Sequence, residues 1–214
     1  MAHPEETVNL PSPLITGVGA LPHNDAADAV NLILDSLLTA PHAPQLPRSD
    51  PREQMWIQFT EGLPRFRVDL DNLNYYFDTS GDPGPELEEF YANYLEVMEG
   101  GAADKFAIGP DYGRGINLFL DRLRQEGKKR PLVKVQVTGP LSFALTVTDE
   151  HKKPIFYHSI FRDVAVKSTG LKALWLLEQF KPLAENVIVF FDEPSLSAYG
   201  SSAFLGVSEL SLIH

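Results

Sequence analysis

The chain has 214 residues, 43% of them hydrophobic and 22% charged, which suits one large globular domain or two small ones with a true buried core. Its formal charge is -11, with 29 acidic against 18 basic side chains, so nucleic acid, whose phosphates demand cations, is not an expected partner. The absence of cysteine removes disulfides, thiolate zinc sites and any cysteine nucleophile, and no run of about 18 apolar residues announces a membrane-spanning helix.

Residues 1–13 are polar and acidic, without the basic flank and apolar stretch of a secretory signal, and read as a loose leader of a cytoplasmic protein. Leu14 to Leu21 is a short apolar run with glycines, followed by Pro22-His23-Asn24 and a helical pattern: strand, turn, helix. Asn24 is the expected N-cap, Asp25 and Asp28 suit the positive end of the helix, and Val30, Ile33, Leu34 and Leu37 recur at helical spacing up to about Ala40. A very short strand is expected in His42 to Pro47, between prolines. Asp50-Pro51 then reads as N-cap and first helical position of a helix running to Glu61.

Pro64 to Gly113 departs from this rhythm. Phe66 to Asp71 alternates like a strand, Ser80 to Pro85 is a strong loop and Glu86 to Glu99 is helical, so the segment reads as an inserted hairpin or flap. Phe106 to Pro110 is expected to return the chain to a sheet, and Ile116, Phe119, Leu120 and Leu123 mark a helix stopped by Gly127. Leu132 to Val137 and Val187 to Phe191 have the clearest strand character, the second continuously apolar as buried parallel strands are. Between them Pro154 to Ala184 is a long helical stretch, kinked at Gly170. Trp56, Trp175, Phe190 and Phe191 read as core. Strands alternating with helices argue for parallel α/β.

In a parallel α/β barrel, reactive groups collect where strands end. Three such ends stand out: Gly19 to His23, Thr138 to Ser142, and Asp192 to Ser195. Gly17 and Gly19 either let a ligand carboxylate approach the backbone or make a tight turn. Asp192 and Glu193 are adjacent, so at most one lines the mouth; Asp192 suits an ammonium group, or else a helix cap or rim salt bridge. His23 reads as an acid–base group, a metal ligand or a cap. His151 and His158 receive no role.

Together these ends are familiar. Ile15 to Pro22 resembles the "IGSFP" opening of the catalytic domain of cobalamin-independent methionine synthase, Val137 to Pro140 resembles its "LTGP", and Phe191 to Pro194 its "IDEP", in the same order. Met55 to Phe66 is similar to its "DMVEYFGEQLDGF" helix. The resemblance implies a TIM-type (β/α) barrel, of a superfamily shared with uroporphyrinogen decarboxylase and corrinoid-linked methyltransferases, and methyl transfer from a folate to homocysteine thiolate held on zinc. It implies a substrate-binding set of Gly19, Ala20, His23, Thr138, Asp192 and Glu193, with the Gly19-Ala20 turn on the amino acid's carboxylate and Asp192 on its ammonium.

The sequence also departs from the family. Ala20 stands where the family has serine, and the glutamate of its "HGE" is missing unless Asp50 substitutes. The family's zinc ligands lie on strands after the "IDEP" strand, beyond His214. About five of eight barrel strands are expected, so the fold class is an incomplete α/β barrel over residues 14–214 with an insertion near 64–113. The chain is therefore expected to be a truncated product or fragment, or to cover its missing edge with a second copy as a homodimer. Alternatives to the methyltransferase are a decarboxylase, for which Arg48, Arg52 and Arg114 are candidate carboxylate binders, a corrinoid-linked methyltransferase, or an inactive small-molecule binder.

Overall fold

A computed structural model of the chain describes residues 14–198; the expected leader, 1–13, and the C-terminal stretch through His214 lie outside them. The fold is mixed α/β, with five α-helices and two small sheets among the described residues. No helix among them is long and apolar enough to cross a membrane.

The first helix, α1 (Ala26–Ser36), is capped by Asp25 rather than Asn24: the Asp25 carboxylate accepts from the amides of Ala27 at 2.7 Å and Asp28 at 3.0 Å. It ends at Ser36, short of Ala40, and buries Ala26, Ala29, Val30 and Ile33. The expected helix from Asp50 to Glu61 is instead two 3-10 turns, Pro51–Glu53 and Ile57–Thr60, with Asp50 capping the first through the Arg52 amide. Buried polar side chains explain the break. Glu53 turns to accept from the Leu46 amide, and Gln58 donates to the Tyr112 carbonyl while accepting from Gln45, all outside the segment's own helical ladder.

The insertion opens with an antiparallel hairpin, β1 (Phe66–Asp69) and β2 (Asn74–Phe77), with β2 pairing in parallel with β4 (Thr148–Asp149). It is not a free flap. Phe77 is fully buried, its ring edge-on to Phe66 with centroids 5.1 Å apart and tilted against Phe161 of α5 (Ser159–Phe180) at 4.9 Å, so the second sheet shares the main core. After the hairpin come α2 (Gly84–Met98) and α3 (Arg114–Glu126), the latter ended by Gly127 in the left-handed conformation at φ 65°. Phe106 to Pro110 forms no strand. Lys172 takes the Phe106 and Ala107 carbonyls, Asn117 the Ile108 carbonyl and Glu61 the Gly109 amide, which leaves little of that backbone for a ladder.

The remaining extended segments pair in parallel and in chain order. Ala20 bridges Gln45, His42 bridges Lys134, and β3 (Arg130–Thr138) pairs with β5 (Ala184–Asp192) without interruption from Arg130↔Ala184 to Thr138↔Asp192. Four neighbours, not five, follow one another, and no closed barrel forms among the described residues. Every residue from Leu132 to Thr138 of β3 is buried, whereas β5 keeps Phe190 at 45% and Phe191 at 49% exposure, against the expectation that both belong to the core. The reason is position: among the described residues β5 pairs on one side alone. α5 is continuous through Gly170 and packs with β3 and β5, while α4 (Pro140–Thr146), which the sequence pattern did not separate, starts at Pro140 directly after the β3 turn.

Candidate functional site

In β3 the sequence Lys134-Val135-Gln136-Val137-Thr138 alternates polar and apolar, so period two sends Lys134, Gln136 and Thr138 to one face and the valines to the other. The valines join the core cluster with α5. The polar face looks onto the two glycines of the first segment. A Cβ on Gly17 would fall 2.2 Å from Cε1 of His42, and one on Gly19, where φ is +150°, would fall 2.2 Å from Nε2 of Gln136. The space each glycine leaves is thus filled by the protein's own side chains.

Lys134 is the centre of this face. It is 1% exposed, and its ammonium donates to the carbonyls of Gly17 at 3.0 Å and of Val18, and to Oε1 of Gln136 at 3.2 Å, while lying 4.6 Å from the centroid of the Phe190 ring. Burial pushes its pKa down; the Asp192 carboxylate pulls it back up. The Gln136 amide donates to the Ala43 carbonyl at 3.0 Å, so side chains of β3 bind the first two segments to the sheet where ladder pairing is sparse.

His42 is 4% exposed, and both its ring nitrogens are buried without a hydrogen-bond partner among the described residues. Burial, followed by the positive charge of Lys134, lowers its pKa to about 4, so it is neutral near pH 7. Asp192, level with Thr138, is partly exposed; burial raises its pKa and Lys134 opposes that rise. A carboxylate, a lysine, an amide and a neutral histidine with two open ring nitrogens therefore line one face of the parallel strands.

The other sequence-derived residues have clear stations. Ala20 is exposed and bridges Gln45. The Thr138 hydroxyl is buried and donates to the Met55 carbonyl. His23 is half-buried, with a buried Nδ1 that has no partner among the described residues. Glu193 faces away from Asp192's partners: its two carboxylate oxygens accept from the amides of Leu141 at 2.9 Å and Ser142 at 2.7 Å, and a Cβ on Gly139 would fall 2.1 Å from its Cδ. The Ser142 hydroxyl in turn accepts from the Ser195 amide at 3.0 Å. Asp50 is a cap paired with Arg52 at 2.9 Å. Arg52 also reaches Asp111, and Arg114 lies on Ser49, so these two arginines are engaged near the 50–53 turn.

Sequence reasoning missed His42, Lys134 and Gln136. The polar beats of β3 were the available signal. Among the described residues no three His, Cys, Asp or Glu side chains converge as a metal donor set.

Comparison with protein-family models, curated proteins and solved structures found no match.

Proposed function

We propose that the chain forms the opening part of a (β/α) barrel of the cobalamin-independent methionine synthase type, which holds a substrate amino acid at the C-terminal strand ends, with methyl transfer to its thiol as the reaction class. The observation that carries this reading is convergence. The segments around Gly19, Thr138 and Asp192 resemble that family, are separated by more than 50 residues each, and still belong to one run of parallel neighbours in chain order. That order is what the opening strands of a barrel require.

Within this reading Asp192 binds the substrate ammonium: it is a partly exposed carboxylate at a strand end, and Lys134 favours its ionised form. Lys134, Gln136 and His42 form the polar floor beneath it.

Isothermal titration with L-homocysteine and with 4-mercaptobutanoate, which lacks the amine, tests the assignment. Homocysteine is expected to bind about tenfold more tightly or better, and Asp192→Asn to remove the difference. Equal affinity for both compounds, or no binding of either, overturns the reading.

A further inference from the structure

The insertion borders a cavity that is separate from the strand ends. It holds about 490 Å³ and lies between the turn at 62–64, one face of α2 and the 3-10 turn Ala103–Phe106. Small-molecule sites fall in the range of about 300–1,000 Å³. The floor is apolar: Leu63, Phe90 and Phe106 are all buried, the two phenylalanine rings edge-on with centroids 5.9 Å apart. Helical spacing brings Glu86, Glu89 and Asn93 to the same side of α2 as Phe90, and Lys105 completes a polar rim.

Contacts that involve no ligand set the shape of this cavity. The Leu63 amide donates to the Thr60 carbonyl at 3.0 Å, and Gly62, at φ 75°, turns the chain with open space where a Cβ would stand. On the opposite wall Lys172 of α5 holds the Phe106 carbonyl.

The rim divides into spent groups and open ones. Glu86 accepts from the Arg65 amide at 2.6 Å and from Arg67 at 3.3 Å. Glu89 is exposed and makes no hydrogen bond or ion pair among the described residues. Asn93 accepts through Oδ1 from Lys105 Nζ at 2.9 Å, and the same ammonium donates to Glu96 at 2.8 Å. The NH2 group of Asn93 and the third N–H of Lys105 have no acceptor among the described residues. One turn of α2 thus sets an open carboxylate beside open donors, over an apolar floor.

We propose that this cavity binds a free α-amino acid with an apolar side chain. The ligand ammonium pairs with Glu89, its carboxylate accepts from Asn93 and Lys105, and its side chain lies on Leu63, Phe90 and Phe106. Residues four apart on a helix hold their Cβ atoms about 5–6 Å apart, a span that suits an ammonium and a carboxylate carried on one carbon. A simple amine leaves Asn93 and Lys105 unanswered, and a simple carboxylate meets the like charge of Glu89. The proposal does not depend on the barrel reading, because Asp192, Lys134 and His42 do not line the cavity.

Isothermal titration of the full chain with L-phenylalanine, phenethylamine and 3-phenylpropanoate tests it. L-Phenylalanine is expected to bind about tenfold more tightly, or better, than either compound that lacks one charge. Glu89→Gln should remove its advantage over 3-phenylpropanoate, and Asn93→Ala combined with Lys105→Met its advantage over phenethylamine. These positions are at least partly exposed, and circular dichroism checks that the variants fold. The affinity for L-phenylalanine should be the same in Asp192→Asn, which separates this cavity from the strand-end site. No binding, equal affinity for the three compounds, or binding that is lost in Asp192→Asn and kept in Glu89→Gln overturns the proposal.

Discussion

Lys172 on α5 has no exposed surface, and its ammonium reaches the carbonyls of Phe106 and Ala107 at 3.5 Å each, the far limit of a hydrogen bond. Burial pushes its pKa down from 10.5 to about 8, against a smaller opposing pull from Glu61. Below about 8 both native and unfolded chains hold the proton, and the native state bears the full cost of the buried charge. Between there and 10.5 the unfolded chain alone holds it, so this group makes stability rise with pH. The displacement corresponds to about 3 kcal/mol. Lys172→Met keeps a similar stem and removes the charge. In urea denaturation the stability of the variant relative to wild type is expected to be greatest at pH 7 and to fall by about 2–3 kcal/mol as pH rises to 10. Measuring the two proteins side by side cancels the titration of every other group. A difference that does not change with pH would refute the reasoning and leave Lys172 as a packing residue with two carbonyl contacts.

The first segment and His42 give two further tests. Gly17→Ala drives a methyl group into the His42 ring and is expected to cost about 1–3 kcal/mol; combining it with His42→Ala should recover at least about 1 kcal/mol relative to the sum of the single changes, and simple additivity would show that the ring does not fill the glycine's space. Because the pKa of His42 is lowered to about 4 from 6.5, its contribution is fully present above 6.5 and is lost as pH falls through 4. His42→Gln should therefore flatten the decline of urea midpoints between pH 7 and 4.5, and an unchanged slope would contradict neutral burial.

What the sequence made legible is what depends on local pattern: the β3 and β5 strands, α3 with its Gly127 stop, and the hairpin in the insertion. What it hid depends on distant partners. The segment from Asp50 to Glu61 has helical composition, yet Glu53 and Gln58 serve Leu46, Gln45 and Tyr112, and those bonds hold it as two short turns. Phe106 to Pro110 has strand composition, yet side chains of Lys172, Asn117 and Glu61 claim its backbone. Phe190 and Phe191 have core composition but occupy the last strand of the run. At the candidate site Asp192 was legible as a carboxylate ending an apolar strand. His42 was not, because nothing near it in sequence reveals the glycine it faces across the sheet.

The clamp between the two later turns separates structural from functional signal in the resemblance. Gly139 is required because Glu193 occupies its Cβ position, Glu193 satisfies two amides at the start of α4, and Ser142 answers through the Ser195 amide. Gly139, Ser142, Glu193 and Ser195 are thus explained by the joining of adjacent strand ends alone, with no ligand. A barrel of any activity that joins these two turns in this way would retain them. The functional weight therefore shifts to residues that the clamp does not use: Asp192, whose carboxylate feels Lys134 rather than a backbone cap, and His42, whose buried ring nitrogens have no partner within the described chain. Substitutions at Glu193 should act through stability, whereas those at Asp192 should act through ligand affinity, and that division decides which half of the resemblance concerns chemistry.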